Sequence, residues 1–527
     1  MKEKGMQLCG GLIVILILLI GVGFIQGATV TPPPEATSAL LKQGKELYKK
    51  ECSICHGPEG KGDGLAAYLL FPKPRVLTDG IFKIRSTPTG EPPTDRDLFQ
   101  TITQGLPGSA MPSFISLSEK ERWALVYYIK ELGAITEKPE RVIQVPPDAP
   151  PLTPQTLAAG EEVYKTLKCW ECHGFKGQAD GPSVPTSKDN WGFPAPPNDF
   201  TRGIYKGGGE NKDIYLRFVT GMDGSPMPSF EDWAEEEERW ALVHYVRSLA
   251  GPKMAVQPST GTIVAEKISD RLPQHPQDAL WDKITPTQIP LMLLWQRQKV
   301  VDYTSVKAVH NGKEIAFLLE WEDLEPAARF VRHQDYADGA AIQFALSQKP
   351  PLFTMGETEG SVNIWYWRAD RQMDLDRFQD MEDVYQGMVA DDYQSAEGWY
   401  PKDIEKAHHL PMASAPAHDP LFISGWGAGN PVSIPWRTSA VEDLNAEGFG
   451  TLTTQEEQDQ NVIGQGYWVN GAWKVIFLRS LKRKGRFDVK LAPGTEVPVG
   501  FAVWDGSKGD RDGQKAVTTW YTLQVKK

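Results

Sequence analysis

The chain is poor in cysteine, with five in 527 residues. Four of them sit in two short motifs and the fifth is Cys9, so no pair is left over for a structural disulfide. An excess of positive charge is also missing. Against 56 Lys and Arg stand 68 Asp and Glu, a formal net charge of −12, and this argues against a nucleic-acid partner. An acidic surface instead suits the steering of a basic partner. No block of like charge occurs, and with 40% apolar residues the composition is that of globular protein. There is no nucleophile motif, no phosphate-binding loop and no site with an open metal position, so nothing marks a catalytic centre. The length suits roughly three or four domains.

What the cysteines do form is a motif. Cys52-Ser53-Ile54-Cys55-His56 returns as Cys169-Trp170-Glu171-Cys172-His173. Two cysteines separated by two residues and followed at once by histidine are the attachment pattern of c-type haem. Each thiol adds to one vinyl group of the porphyrin, and His56 or His173 lies under the iron as proximal ligand. Zinc or disulfide readings use C-x-x-C pairs but leave the repeated histidine unexplained.

The motif is part of a longer repeat. A helical stretch from Leu40 to Lys50 leads into the first copy, and its Gly44 and Tyr48 recur as Gly160 and Tyr164. Asp97-Leu98-Phe99 recurs as Asp213-Ile214-Tyr215, and the run from Glu121 to Val126 recurs from Glu238 to Val243. Gly108-Ser109-Ala110-Met111-Pro112-Ser113-Phe114 recurs as Gly224-Ser225-Pro226-Met227-Pro228-Ser229-Phe230. Offsets of 117 at the first cysteine, 116 at the methionine and 117 at the tryptophan indicate a duplicated domain. Met111 and Met227 each sit in a Gly/Pro-rich loop that aims a thioether at the iron, where core filler is not usually placed. Coordination by His and Met fills both axial positions, raises the potential and suits electron transfer. His244 is placed opposite Tyr128 on the closing helix and reads as a helix-surface or packing histidine. The two copies resemble class I cytochrome c domains, over residues 38–138 and 154–252, joined by the proline-rich linker from Val145 to Pro151.

At the N-terminus two lysines precede an apolar run from Leu8 to Ile25. Residues 1–30 read as a signal peptide or membrane anchor that directs the rest to the periplasmic side of the inner membrane. Eighteen helical residues span roughly 27 Å, a little short of a bilayer core of about 30 Å. Cleavage and retention as an anchor therefore both stand. Thr31-Pro32-Pro33-Pro34 is a stiff spacer.

After Gly251-Pro252 short alternating, aromatic and β-branched runs replace the helical pattern. Val306–His310 and Glu314–Trp321 flank Asn311-Gly312, and Gly466–Val469 and Trp473–Arg479 flank Asn470-Gly471, both strong hairpin signals. Pro498–Trp504 and Ala516–Val525 are further strands. A β-sandwich with helical or irregular insertions is expected over 262–527. Residues 371–460, rich in Asp, Gly, Pro and aromatics, stay unassigned.

Two stretches of this half carry a resemblance. One is Pro351-Leu352-Phe353-Thr354-Met355-Gly356 with Val362 to Arg368; the other is Gly500 to Gly506 with Gly513 to Trp520. They resemble the haem-b-binding γ subunits of ethylbenzene dehydrogenase, dimethyl sulfide dehydrogenase, and selenate and chlorate reductase, with nitrite oxidoreductase subunits nearby. In that family one methionine and one lysine hold the haem b; the matching positions here are Met355 and Lys515. The residues themselves leave two readings open. Lys515, Val517, Thr519, Tyr521, Leu523 and Val525 share one face of a strand that is mostly apolar and turned inward. A lysine there needs a partner, whether iron or, for a strand-end lysine, water reached by its head group. Lys474, Lys482 and Lys490 are the competing lysines.

The chain is thus expected to be multidomain: two all-α cytochrome c domains followed by an all-β sandwich haem-binding domain. It departs from the γ subunits, usually the β-domain alone, by the two domains fused in front. The resemblance implies a periplasmic electron-transfer subunit with two covalent haem c and one haem b. Its partners would be a molybdenum catalytic subunit and an iron–sulfur subunit on one side. On the other side would be a redox carrier protein or a quinone-linked complex. The alternative is a free-standing redox enzyme or sensor whose β-domain binds a small molecule or sugar while the cytochromes drain electrons.

Overall fold

In the computed structural model, residues 32–147, 149–250, 261–269, 271–297, 300–376, 379, 381–385, 387, 438–483 and 485–527 are described. The expected signal or anchor segment, with Cys9, and most of the unassigned stretch 371–460 lie outside them. Helices α1 (Ser38–Glu51), α2 (Ser53–His56), α3 (Asp95–Gln104) and α4 (Glu119–Leu132) form the first copy. Helices α5 (Pro154–Thr166), α6 (Trp170–His173), α7 (Asn211–Thr220) and α8 (Glu236–Ser248) form the second.

The repeated residues are the ones that start, cross and lock these helices. Asp97 and Asp213 close capping boxes with Thr94 and Glu210, and Glu121 and Glu238 do so with Ser118 and Glu235. Gly44 is where α1 crosses α4: a Cβ there would lie 2.1 Å from the carbonyl oxygen of Ala124. Gly160 meets the carbonyl oxygen of Ala241 on α8 at the same 2.1 Å. The Tyr48 hydroxyl donates to the carbonyl of Gly57 at 2.8 Å, and that of Tyr164 to Gly174 at 2.7 Å, which anchors the turn after each motif.

The same tyrosines correct one expectation. Tyr48 packs on Tyr128 and Tyr164 on Tyr245, each with ring centroids 5.3 Å apart. Tyr245 therefore takes the place of Tyr128, and His244 falls opposite Tyr127. His244 is a packing residue, not a helix-surface one: it is buried, with Nε2 2.8 Å from the carbonyl oxygen of Pro150. The offset of 117 set by the buried Trp123 and Trp240 governs the closing helices, and it places His244 one residue earlier than expected.

The copies are tied to each other directly. Arg85, 1% exposed, pairs with Asp223 at 2.8 Å and donates to the carbonyl of Thr220 at 2.7 Å. Arg217 in turn donates to the carbonyl of Arg85 at 2.6 Å.

The C-terminal half is one sheet. Its strands are β1 (Thr262–Lys267), β2 (Thr287–Pro290), β3 (Met292–Leu293), β4 (Tyr303–His310), β5 (Glu314–Glu322), β6 (Gly339–Ala345) and β7 (Val362–Arg368). They continue with β8 (Val441–Ala446), β9 (Thr453–Thr454), β10 (Ile463–Val469), β11 (Ala472–Ser480), β12 (Glu496–Trp504), β13 (Ala516–Val517) and β14 (Tyr521–Val525). One helix, α9 (Ala369–Asp376), follows β7. The order is β10-β11-β5-β4-β1-β14-β12-β6-β7-β8-β9, with β2 beside β4 and β13 between β12 and β3. Both expected hairpins form, β4–β5 and β10–β11, and Asn470 and Gly471 take the positive φ of 52° and 79° that their turn requires.

The two faces of the expected sandwich belong to a continuous sheet. β1 runs parallel to both β4 and β14 and so stitches the halves together. The sheet folds over a shared core in which Phe317 of β5 meets Phe344 of β6 at 6.1 Å and Trp365 of β7 at 5.9 Å. The strand expected over Ala516–Val525 is broken in two, because the Thr518 hydroxyl accepts the N–H of Phe501 at 2.9 Å in place of a backbone carbonyl. Residues 36–527 pack as one unit. Phe71 of the first copy pairs with the chain at Trp295, its N–H donating to Leu294 at 2.9 Å and its carbonyl accepting from Gln296 at 2.7 Å. Arg202 of the second copy forms a forked ion pair with Asp302. Among the described residues no helix is long and apolar enough to cross a membrane.

Candidate functional site

Each copy surrounds one cavity with its own motif and its own methionine. Cys52, Cys55, His56 and Met111 line the first; Cys169, Cys172, His173 and Met227 line the second. The motif is a single helical turn, in which the N–H of His56 donates to the carbonyl of Cys52 at 2.9 Å and that of His173 to Cys169 at 2.9 Å. Both sulfurs and the ring therefore come from one short rigid piece of backbone.

The rings are oriented by backbone carbonyls. His56 Nδ1 lies 2.9 Å from the carbonyl oxygen of Arg75, and His173 Nδ1 lies 2.9 Å from that of Asn198. A proton on Nδ1 makes this hydrogen bond and leaves Nε2 as the free, metal-binding nitrogen. Burial lowers the pKa of both, that of His173 to about 4, so the imidazoles are neutral as iron ligation requires.

The methionine loops are built alike. The N–H of Leu106 donates to the carbonyl of Met111 at 3.0 Å, and that of Met222 to Met227 at 3.0 Å. Ser109 and Ser225 close the same turns through hydroxyls donated to Leu106 and Met222 at 2.7 and 2.6 Å. Gly105 and Gly221, at φ of 68° and 61°, pass so close to Pro112 and Pro228 that a side chain would collide with the loop.

Haem fits these walls in more than its ligands. Lys83, Lys206 and Met222 line both cavities. Burial pulls Lys83 down to about 7, with Lys206 adding to the effect, and Lys206 down to about 8. Thr101 Oγ1 on the first cavity and Arg217 Nε on the second are buried without a hydrogen-bond partner. A haem brings the two things these walls lack: an iron for Nε2 and Sδ, and carboxylates for the buried cations.

In the sheet domain Met355 and Lys515, 160 residues apart, are brought together with Nζ 3.9 Å from Sδ. Met355 has a φ of 71°, a conformation that costs energy in any residue but glycine and is typical of ligand clamps. The Lys515 ammonium lies 4.7 Å over the Trp504 ring, and burial lowers its pKa to about 8. Lys474 is engaged by Glu320 at 3.2 Å, and Lys482 and Lys490 are exposed. The residues present therefore fit a Met/Lys-held haem at this place.

Several site residues went unread in the sequence. The carbonyls of Arg75 and Asn198 belong to unlike residues, yet each precedes a further match between the copies, Leu77-Thr78-Asp79-Gly80-Ile81-Phe82-Lys83 and Phe200-Thr201-Arg202-Gly203-Ile204-Tyr205-Lys206, which ends on the two cavity lysines. Phe353, two residues before Met355, lines the first cavity from the sheet side.

Comparison with known proteins agrees with this architecture. The family described as ethylbenzene dehydrogenase matches residues 278–516; cytochrome C oxidase, cbb3-type, subunit III matches residues 39–129, and cytochrome c matches residues 157–250. Chlorate reductase subunit gamma of Ideonella dechloratans is 25% identical over 257 residues, covering 47% of this chain and 78% of that protein. Dimethylsulfide dehydrogenase subunit gamma of Rhodovulum sulfidophilum is 23% identical over 272 residues, covering 49% of this chain and 78% of that protein. A chain of the Kuenenia stuttgartiensis reducing HAO-like protein complex is 43% identical, with 42% of this chain and 99% of that chain covered and a TM-score of 0.40.

Proposed function

We propose that this chain, which belongs to the ethylbenzene dehydrogenase family over residues 278–516 and carries two cytochrome c domains ahead of it, is a three-haem electron-transfer subunit. Haem c would be held by Cys52, Cys55, His56 and Met111 in the first copy and by Cys169, Cys172, His173 and Met227 in the second. Haem b would be held by Met355 and Lys515. The haems supply reversible one-electron iron; the chain supplies ligands, orientation and exclusion of water. The subunit would work on the periplasmic side of the inner membrane, exported and in one reading anchored by its N-terminal segment. A molybdenum catalytic subunit with an iron–sulfur subunit would meet the sheet domain, and a redox carrier or quinone-linked complex would meet the cytochromes.

The observation that carries this reading is that the first cavity shares a wall with the second and takes another from the sheet domain. Phe353, beside Met355, forms part of the first cavity wall, and Lys83, Lys206 and Met222 are common to the first and second. Electrons would pass between sheet site and first copy, then between first and second.

Acid–acetone extraction followed by pyridine haemochrome spectra is expected to give covalent and extractable haem at about two to one. Lys515→Ala should leave the extractable haem high-spin at neutral pH, while Lys474→Ala should be silent. Acid should do the same to wild type: protons compete with iron for the amine, so this haem turns high-spin while both His/Met haems stay low-spin. Well-loaded protein without extractable haem would overturn the haem b assignment.

A further inference from the structure

The copies differ most in the turn between methionine loop and closing helix. In the first copy it reads Ile115-Ser116-Leu117-Ser118, and Ile115 and Ser116 face Pro290, Met292 and Trp520 of the sheet domain across a cleft. In the second it reads Glu231-Asp232-Trp233-Ala234-Glu235, running on through Glu236, Glu237 and Glu238. Trp233 is 72% exposed and at the same time lines the second haem cavity with Met227 and Phe230. Glu231 is engaged by Arg141 at 2.7 Å and Glu238 caps α8, whereas Asp232, Glu236 and Glu237 are simply exposed. An aromatic ring reaching from a redox cavity to the surface, inside a collar of carboxylates, has no counterpart in the first copy.

We propose that this face docks a soluble redox protein that carries a basic patch around its own exposed prosthetic group, with Trp233 at the centre of contact. The proposal rests on the electron-transfer reading above and names where electrons enter or leave the chain at its second-copy end. Unlike charge raises the encounter rate and orients the partner, and the exposed tryptophan supplies the desolvated anchor typical of such contacts. One electron crosses in each encounter: one iron loses it, the partner's centre gains it, and no bond or proton is exchanged. In either direction the balance is the same.

The test uses the full haem-loaded chain, reduced, mixed in stopped flow with oxidised, strongly basic mitochondrial cytochrome c as the probe. Wild type is expected to react at a second-order rate that falls steeply as salt is added. The variant D232N/E236Q/E237Q should be about tenfold slower at low ionic strength and converge on wild type at high salt. Trp233→Ala should be slower at every ionic strength, by more with the protein partner than with a small uncharged mediator. The charge variant should match wild type with that mediator, since none of Asp232, Glu236 and Glu237 lines the cavity. If the charge variant keeps the wild-type rate and salt slope, or an acidic carrier reacts faster than the basic one, the docking face is refuted while the electron-transfer reading survives. A wild-type chain that exchanges no electrons even with the mediator would overturn that reading, and this proposal with it.

Discussion

The first and second helical copies hold the same site by the same devices in different company. His56 leans on Arg75 and His173 on Asn198, at one and the same distance of 2.9 Å, and the two methionine loops share their hydrogen bonds. Around those sites little matches. The first copy has a wall contributed by the sheet domain through Phe353, whereas the second presents Trp233 to solvent. The difference teaches which part of a cytochrome repeat is local chemistry and which is position in a larger assembly. Ligands and their holders travel with the copy; access to them depends on what packs outside.

That comparison is open to direct attack. The largest effect should come from the two loop methionines, as the proposed distal ligands. Met111→Ala or Met227→Ala should lower the potential of its own haem by on the order of 0.2 V, given that axial ligation spans about 0.8 V. Spectroelectrochemical titration should show the other haem nearly unmoved. Equal shifts in both haems would mean that the sites are not local units.

Arg85→Met should cost the joined pair of copies about 3 kcal/mol, since it leaves Asp223 at their junction without its buried partner. Urea unfolding followed at the haem bands should show both copies losing stability together. Loss confined to the first copy would argue that they unfold independently.

Gly44→Ala and Gly160→Ala should each cost about 2 kcal/mol, because each forces a methyl group against a helix carbonyl. The same denaturation experiment should give closely similar losses. A large loss in one and none in the other would break the equivalence of the two crossings.

Smallest of the four, Tyr48→Phe and Tyr164→Phe should each cost about 1 kcal/mol by removing a hydrogen bond to the glycine after the motif. Thermal melts of the paired variants should shift alike. A difference between them would point to unequal support of the two copies by the sheet domain.

Much of the fold and site was legible because the signals are short-range. The C-x-x-C-H motif and the Asn-Gly hairpins act over a handful of residues; each motif is a single helical turn and both hairpins form. The misplacement of His244 shows the limit of counting by offset: the methionine loops run at 116 and the closing helices at 117, and the packing of Tyr245 on Tyr164 fixes the second value for this helix. The joining strand β1 was illegible for another reason. A parallel pairing to two distant strands has no turn to announce it.

By itself the sequence determined that two copies of one helical cytochrome c domain are present, each with its own C-x-x-C-H motif. Thiols, histidine and helix starts do this work within a few bonds of one another. Which lysine meets Met355 was decided by the tertiary structure alone, and it brings Lys515 to within 3.9 Å of Met355 while Lys474 goes to Glu320. It also decided that the sheet domain closes a wall of the first cavity through Phe353 while Trp233 of the second cavity is exposed. Contacts between residues far apart in the chain depend on strand register and domain packing, and no local pattern encodes those.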